Sequence, residues 1–283
     1  MASTPYSLPA PETNGGRMHV MGILNVTPDS FSDGGRHAAA DAALAHARSM
    51  IAEGADIIDI GAESTRPGAA TVDAAEEWAR LDPVLAPVIA LGVPVSIDTY
   101  KADIARRACA LGAAIVNDVW GLQKDPGMAD VVAAAGVSVV MMHNRVEADA
   151  SIDILADMDR FFEKSMQLAD QAGIARERQI LDPGFGFGKT MDQNYQVLNR
   201  LDHLARHGLP ILAGASRKRM IGAVLDVPTD ERLFGSLAVH LLAAERGAAI
   251  LRVHDVKAHV EALAIHAAMR RERVALVPAE AGR

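Results

Sequence analysis

The strongest constraint on this chain is a junction that recurs along it: an alanine-rich amphipathic run reaches a glycine, and a short β-branched run follows almost at once. It occurs at Gly54 (EGADIIDI), Gly92 (LGVPVSI), Gly112 (LGAAIVN), Gly136 (AGVSVVMM), Gly173 (AGIARERQIL), Gly208 (HGLPIL) and Gly247 (RGAAILRV). Glycine supplies the left-handed residue that ends a helix, and continuous apolar runs suit strands buried on both faces, as parallel sheets require. Together with the opening run Met18 to Leu24, the seven junctions predict eight strands, near 18–24, 56–60, 93–97, 114–117, 138–142, 179–182, 210–213 and 249–253, separated by helices. Eight alternating βα units predict an α/β fold of the (β/α)8 TIM barrel type; the alternative from the same signature is a doubly wound open sheet. No linker divides the chain, so a single domain is expected over residues 17–275, with tails at 1–16 and 276–283.

At 283 residues, half of them apolar, the chain can bury a sizeable core. The single cysteine, Cys109, excludes an internal disulfide framework and fits a reducing compartment; its place in an alanine-rich helical pattern reads as a buried thiol. The longest apolar run, near 131–142, is broken by Gly136 and Ser138 and falls short of a membrane span. The polar, proline-rich start lacks the layout of a signal peptide, and a cytoplasmic location follows as the expectation. A formal charge of −8 argues against nucleic acid or an anionic membrane as partner, while allowing an anionic small substrate wherever positive charge is local.

Function in such a barrel sits where the carboxyl ends of the strands open into loops. Those ends carry Asn25; Glu63 with Thr65 and Arg66; Asp98; Asn117 with Asp118; His143 with Asn144; Asp182; Ser216 to Lys218; and Arg252 with His254. Any one of them can be a turn or cap residue, but eight polar ends converging on one mouth point to a site. Asp98, Asn117 and Asp182 follow strongly apolar strands and should face a partly dry mouth, where carboxylates call for a ligand rich in N–H groups. Asn117 and Lys218 make an all-oxygen metal cage less convincing. A second group, Arg66, Lys218, Arg252 and His254 with Arg217 and Arg219 nearby, suggests phosphate or carboxylate recognition. Alternation sends Arg252 and His254 to one side, where both can face one anion. His143 reads as structural or pocket-lining rather than as a base.

PGFGFGKT at 183–190 approaches a phosphate-binding loop, but Pro183 stands where the first glycine is needed and Phe187 breaks the dinucleotide pattern, so its phenylalanines read as an apolar wall or core. The loops TPDSFSDGG and AESTRPGAA are long, and Phe31 in so polar a setting suggests closure over a ring.

MGILNVTPDSFSDGG, GADIIDIGAESTRPGA, VSIDTYKADIA, IVNDVWG, LDPGFGFGKT, SRKRMIG and ILRVHDV resemble the dihydropteroate synthase family of pterin-binding enzymes, over about Met18 to Val260. The resemblance implies condensation of a dihydropterin-methyl diphosphate with 4-aminobenzoate, releasing pyrophosphate in folate biosynthesis, with Mg2+ and in a homodimer. By the same resemblance Asn25 contacts the diphosphate and magnesium; Asp98, Asn117, Asp182 and Lys218 contact the pterin, with Asp98, Asp182 and Lys218 serving the chemistry. Arg66, Arg252 and His254 would hold the diphosphate, and Phe31, Thr65, Pro67 and Phe187 the aminobenzoate. Asn144 and Arg145 stand where many members carry Met and a polar residue, and Arg219 where some carry Ser. The alternatives are a pterin-binding methyltransferase with a corrinoid partner and a catalytically silent pterin-binding paralogue.

Overall fold

All seven junction glycines adopt positive φ, from +65° at Gly136 to +114° at Gly112, and each separates a helical stretch from the strand that follows. The computed structural model describes residues 16–27, 35–63 and 71–272. Their order is β1 (His19–Asn25), α1 (Gly35–Ala52), β2 (Ile57–Gly61), α2 (Ala74–Ile89), β3 (Val95–Asp98), α3 (Ala102–Leu111), β4 (Ile115–Asp118) and α4 (Met128–Ala135). There follow β5 (Ser138–Met142), α5 (Ile154–Ala172), β6 (Gln179–Asp182), α6 (Met191–Asn199), β7 (Ile211–Ala213), α7 (Arg219–Leu225), α8 (Leu233–Glu245), β8 (Ala248–Val253) and α9 (Val256–Arg271). Each expected strand lies within two residues of its observed place. The strands pair in parallel, in sequence order, and β8 closes on β1, with Met21 beside Arg252. The fold is therefore the closed (β/α)8 barrel, not the open sheet. The connection after β7 differs from a single helix: it divides into the two-turn α7 and the longer α8, with Asp226 in the left-handed conformation ending the first.

Two apolar clusters form. The larger lies between strands and helices. The smaller consists of Met21, Ile57, Ile115, Val140, Ile180, Leu212 and Ile250, one from each of seven strands. Because strand side chains alternate, these seven fill the barrel interior. The next inward position on each strand lies two residues further toward the carboxyl end. On four of them it holds Asp59, Asn117, Asp182 and Arg252. The lumen thus changes from an apolar floor to a charged layer in one side-chain step, and on β7 the corresponding residue is Gly214, which adds no side chain to the space between Asp182 and Arg252. No helix among the described residues is long and apolar enough to cross a membrane. The expected tails lie almost wholly outside the described residues.

Candidate active site

The charged layer is the centre of the site. Arg252 Nε donates to Asp59 Oδ2 at 2.6 Å and Arg252 Nη2 to Asp98 Oδ2 at 2.7 Å, while Asn117 Nδ2 donates to Asp59 Oδ2 at 3.4 Å. Asp59 is fully buried and Asp98 is 8% exposed. Burial raises the Asp98 pKa to about 7, against the opposing pull of Arg252. Arg252 is held in its charged form because the two carboxylates outweigh its own burial. Asp182 accepts from the Gly184 N–H at 2.7 Å through Oδ1, and burial raises its pKa despite the nearby Lys218. Lys218 donates to the Phe185 carbonyl and lies 4.4 Å from the centre of the Phe187 ring, its pKa lowered to about 8 by burial, which outweighs Asp182.

What this layer lacks is donors. Asp59 Oδ1, Asp98 Oδ1 and Asn117 Oδ1 are buried without a hydrogen-bond partner. Buried acceptors are ordinarily paired, so three orphans in one layer at the carboxyl ends of the strands call for a ligand that brings several N–H groups.

The structure brings Asp98, Asn117, Asp182, Lys218 and Arg252 together. Arg252 links the two groups expected from the sequence: it turns onto the carboxylates, while His254 Nδ1 lies 3.0 Å from Ser216 Oγ. Asn25 ends β1 and is exposed. Phe185 packs fully in the core, whereas Phe187 is half-buried at the rim. Phe31, Thr65, Arg66 and Pro67 lie outside the described residues.

Other polar strand ends serve the scaffold. Asp118 accepts from the Trp120 and Leu122 N–H groups at 2.8 and 2.7 Å. Glu63 accepts from Tyr100 Oη, Lys101 Nζ and the Val72 N–H, and Lys101 also reaches the buried Glu77. Arg217 pairs with Asp255, and Arg219 is exposed on α7. Asn144 donates to the Val119 carbonyl and Arg145 to Asp157, so both brace the loop after β5.

Lys189, the lysine of PGFGFGKT, is turned inward. Its Nζ lies 2.7 Å from His143 Nδ1 and donates to the carbonyls of Gly184 at 3.0 Å and Phe187 at 3.2 Å. Burial lowers the Lys189 pKa to about 7, and burial with Lys189 alongside lowers that of His143 to about 3. His143 Nε2 meets Asp157 Oδ2 at 3.2 Å. The loop needs glycine where it folds back: a Cβ on Gly184 would lie 2.0 Å from the His143 carbonyl oxygen, and one on Gly188 2.4 Å from Arg145 Cβ. A capping box of Thr190 and Gln193 then starts α6, and Asn194 Oδ1 accepts from the Gly186 N–H at 2.6 Å.

Two residues escaped the sequence reading. Asp59 sits inside β2 and not at its end; its signal was alternation, since Ile57 faces the lumen and Asp59 must follow it. Lys189 was hidden in a loop read for its glycines and aromatics.

A closed parallel barrel whose strand ends carry a buried, donor-seeking carboxylate layer beside two cations defines a small-molecule enzyme of the (β/α)8 class. The profile of the family described as pterin binding enzyme matches residues 21–254. A dihydropteroate synthase from Bacillus subtilis is 51% identical over 239 residues, 84% of each chain. A Clostridium difficile dihydropteroate synthase solved in the presence of pteroic acid superimposes with a TM-score of 0.88 at 47% identity, covering 91% of this chain and 98% of that one. A Xanthomonas albilineans dihydropteroate synthase with 4-aminobenzoic acid gives a TM-score of 0.87 at 48% identity, covering 90% and 94%. This chain belongs to the dihydropteroate synthase family of pterin-binding enzymes.

Proposed function

We propose that the chain condenses (7,8-dihydropterin-6-yl)methyl diphosphate with 4-aminobenzoate, giving 7,8-dihydropteroate and pyrophosphate in folate biosynthesis. The observation that carries this reading is the set of orphan acceptors Asp59 Oδ1, Asp98 Oδ1 and Asn117 Oδ1. A pterin edge presents ring and exocyclic N–H groups of the number and polarity that these acceptors and Asp182 require. Lys218 supplies a donor to the ring's acceptor side. His254, Asn25 and Arg66 are assigned to the diphosphate. Arg252 serves the same anion while its other bonds keep the carboxylates in register. Phe187 forms the described part of the aminobenzoate pocket, and Phe31, Thr65 and Pro67 are assigned to the rest on the resemblance.

As the bond to the diphosphate lengthens, positive charge grows on the pterin-methyl carbon, and the fixed carboxylates below it stabilise that charge without reorganising. An arylamine is neutral at pH 7 and attacks without a strong base. This chemistry favours condensation over a methyltransferase or a silent paralogue, neither of which needs a diphosphate site.

Among the described residues no cluster of three or more His, Cys, Asp or Glu is placed to hold a metal. The exposed carboxamide of Asn25, at the end of β1, is the oxygen that would hold a magnesium ion beside the substrate. When bound, magnesium neutralises the leaving diphosphate. Formation of dihydropteroate and pyrophosphate by the purified protein tests the reading; activity should vanish with a chelator and return with Mg2+. Asn25→Ala should raise the Mg2+ concentration for half-activity about tenfold. An unchanged requirement would remove Asn25 from the metal.

A homodimer and a cytoplasmic location belong to the same reading. The support for a dimer is an apolar outer face on α6–α8, where Val224, 66% exposed, lines one groove with Leu225 and Leu242, and Phe234 of α8 is 80% exposed. Phe234→Glu with Leu242→Glu should shift the sedimenting mass from two chains to one. An unchanged mass would exclude this face.

A further inference from the structure

His240 on α8 and His259 on α9 lie behind the loops that follow β7 and β8, and both are buried. The chemistry above uses neither. The Ala215 N–H donates to His240 Nε2 at 3.1 Å, which makes that nitrogen the acceptor and puts the ring proton on Nδ1. His240 Nδ1 lies 2.8 Å from His259 Nε2, and His259 Nδ1 lies 2.7 Å from the Asp255 carbonyl oxygen. A carbonyl only accepts, so His259 also carries its proton on Nδ1. One proton arrangement therefore satisfies the whole series, from the Ala215 N–H through both rings to the Asp255 carbonyl. Burial lowers the pKa of each ring, with the neighbouring His259 adding to the effect on His240 and the Asp255 and Ser236 backbone opposing it at His259.

The same two loops meet at further points. The Asp255 carboxylate accepts from Arg217 Nε at 2.9 Å, and the His254 N–H donates to Ser216 Oγ at 3.1 Å. Arg217, at φ +56°, also donates its N–H to Ser236 Oγ on α8 at 2.9 Å. Residues 215–217 are thus tied to residues 254–255, immediately before Lys218 in one loop and just after Arg252 in the other.

We propose that the His240–His259 pair is a positioning relay that locks the β7 loop to the β8 loop, and thereby sets the spacing of Lys218 from Arg252 and His254 where the pterin diphosphate binds. The pair touches no reacting atom in this scheme, and the proposal rests on the pterin diphosphate reading above. Steady-state kinetics of His240→Leu and His240→Gln test it. Gln places an oxygen where Nε2 stood and still accepts from Ala215; Leu offers no acceptor. In H240L the KM for the pterin diphosphate should rise about tenfold, with the aminobenzoate KM at saturating pterin within about twofold of the parent; H240Q should recover most of the loss. A merely structural role would lower the Tm of both variants and leave both KM values in place, which would overturn the relay. So would an equal rise in both KM values, or an H240Q variant no better than H240L. Should H240L fail to fold, His259→Met, which removes the middle acceptor at the far ring, carries the same expected split and the same contradicting results. The unsubstituted protein in the same assay separates the two ideas: an inactive parent sinks the functional reading and the relay with it, whereas an active parent whose variants show no split sinks only the relay.

Discussion

Replacing Asp182 by Asn weakens pterin binding by roughly 30-fold to 1000-fold, a loss of about 2 to 4 kcal/mol. The carboxylate keeps one oxygen for the Gly184 N–H, and that bond survives if the Asn oxygen takes the same place. The other position, beside Lys218, then presents an amide N–H to the ring's own N–H groups. Two donors face each other in a place that burial has already dried, and no water can mediate. Asn is preferred to Ala because it keeps the volume and the loop contact, so the measured change reports the ligand. Calorimetric titration of a pterin into the folded variant reads it directly, and affinity within a few-fold of the parent would remove Asp182 from the site.

Arg252→Met has the second large effect, first on the fold. It leaves Asp59 and Asp98 buried beside each other without their shared cation, a situation that costs about 3 to 5 kcal/mol. For a chain of this length that is a fall in Tm of about 5 to 10 °C. The pH dependence has a definite sign. The Asp98 pKa is raised in the folded protein, so folding binds a proton there; the associated stability is fully present below the ordinary carboxyl range and is lost as pH rises through about 7. Without Arg252, which pulls that pKa down, ionisation of Asp98 becomes costlier still. The deficit of the variant should therefore be widest near pH 8.5 and narrow toward pH 5.5. Thermal melts across that interval test it, and a deficit that grows on acidification would contradict the pairing.

The barrel was legible because its punctuation is local. A helix that must end in a left-handed residue announces itself by a glycine at Gly112 or Gly173 whatever lies around it in space, and the strand follows within three residues at six of the seven junctions and after six at Gly173. The polar strand ends were legible for a related reason: Asp98 and Asp182 each break a run that is otherwise apolar. Partnership was not legible. Arg252 was grouped with the cations by its charge, yet its place is decided by Asp59 and Asp98, which stand 193 and 154 residues away in sequence. Asp59 escaped because a charged residue flanked by isoleucines inside a strand shows its direction only once the register is known. The relay was invisible for a further reason: His240 and His259 each sit within a helix, and nothing in either helix says that a loop amide lies within reach. The split after β7 depends on Asp226 adopting a conformation that asparagine or glycine more often takes.

The seven apolar side chains beneath the charged layer make the lumen a shaft closed at one end. Traffic through such a shaft is single file. A flat ring that settles on the carboxylates must enter before anything that stands above it, and it cannot depart until the upper occupant has cleared the opening. On the proposed reaction, that closed floor has pyrophosphate leave from above the ring and the joined product leave with its aminobenzoate end first.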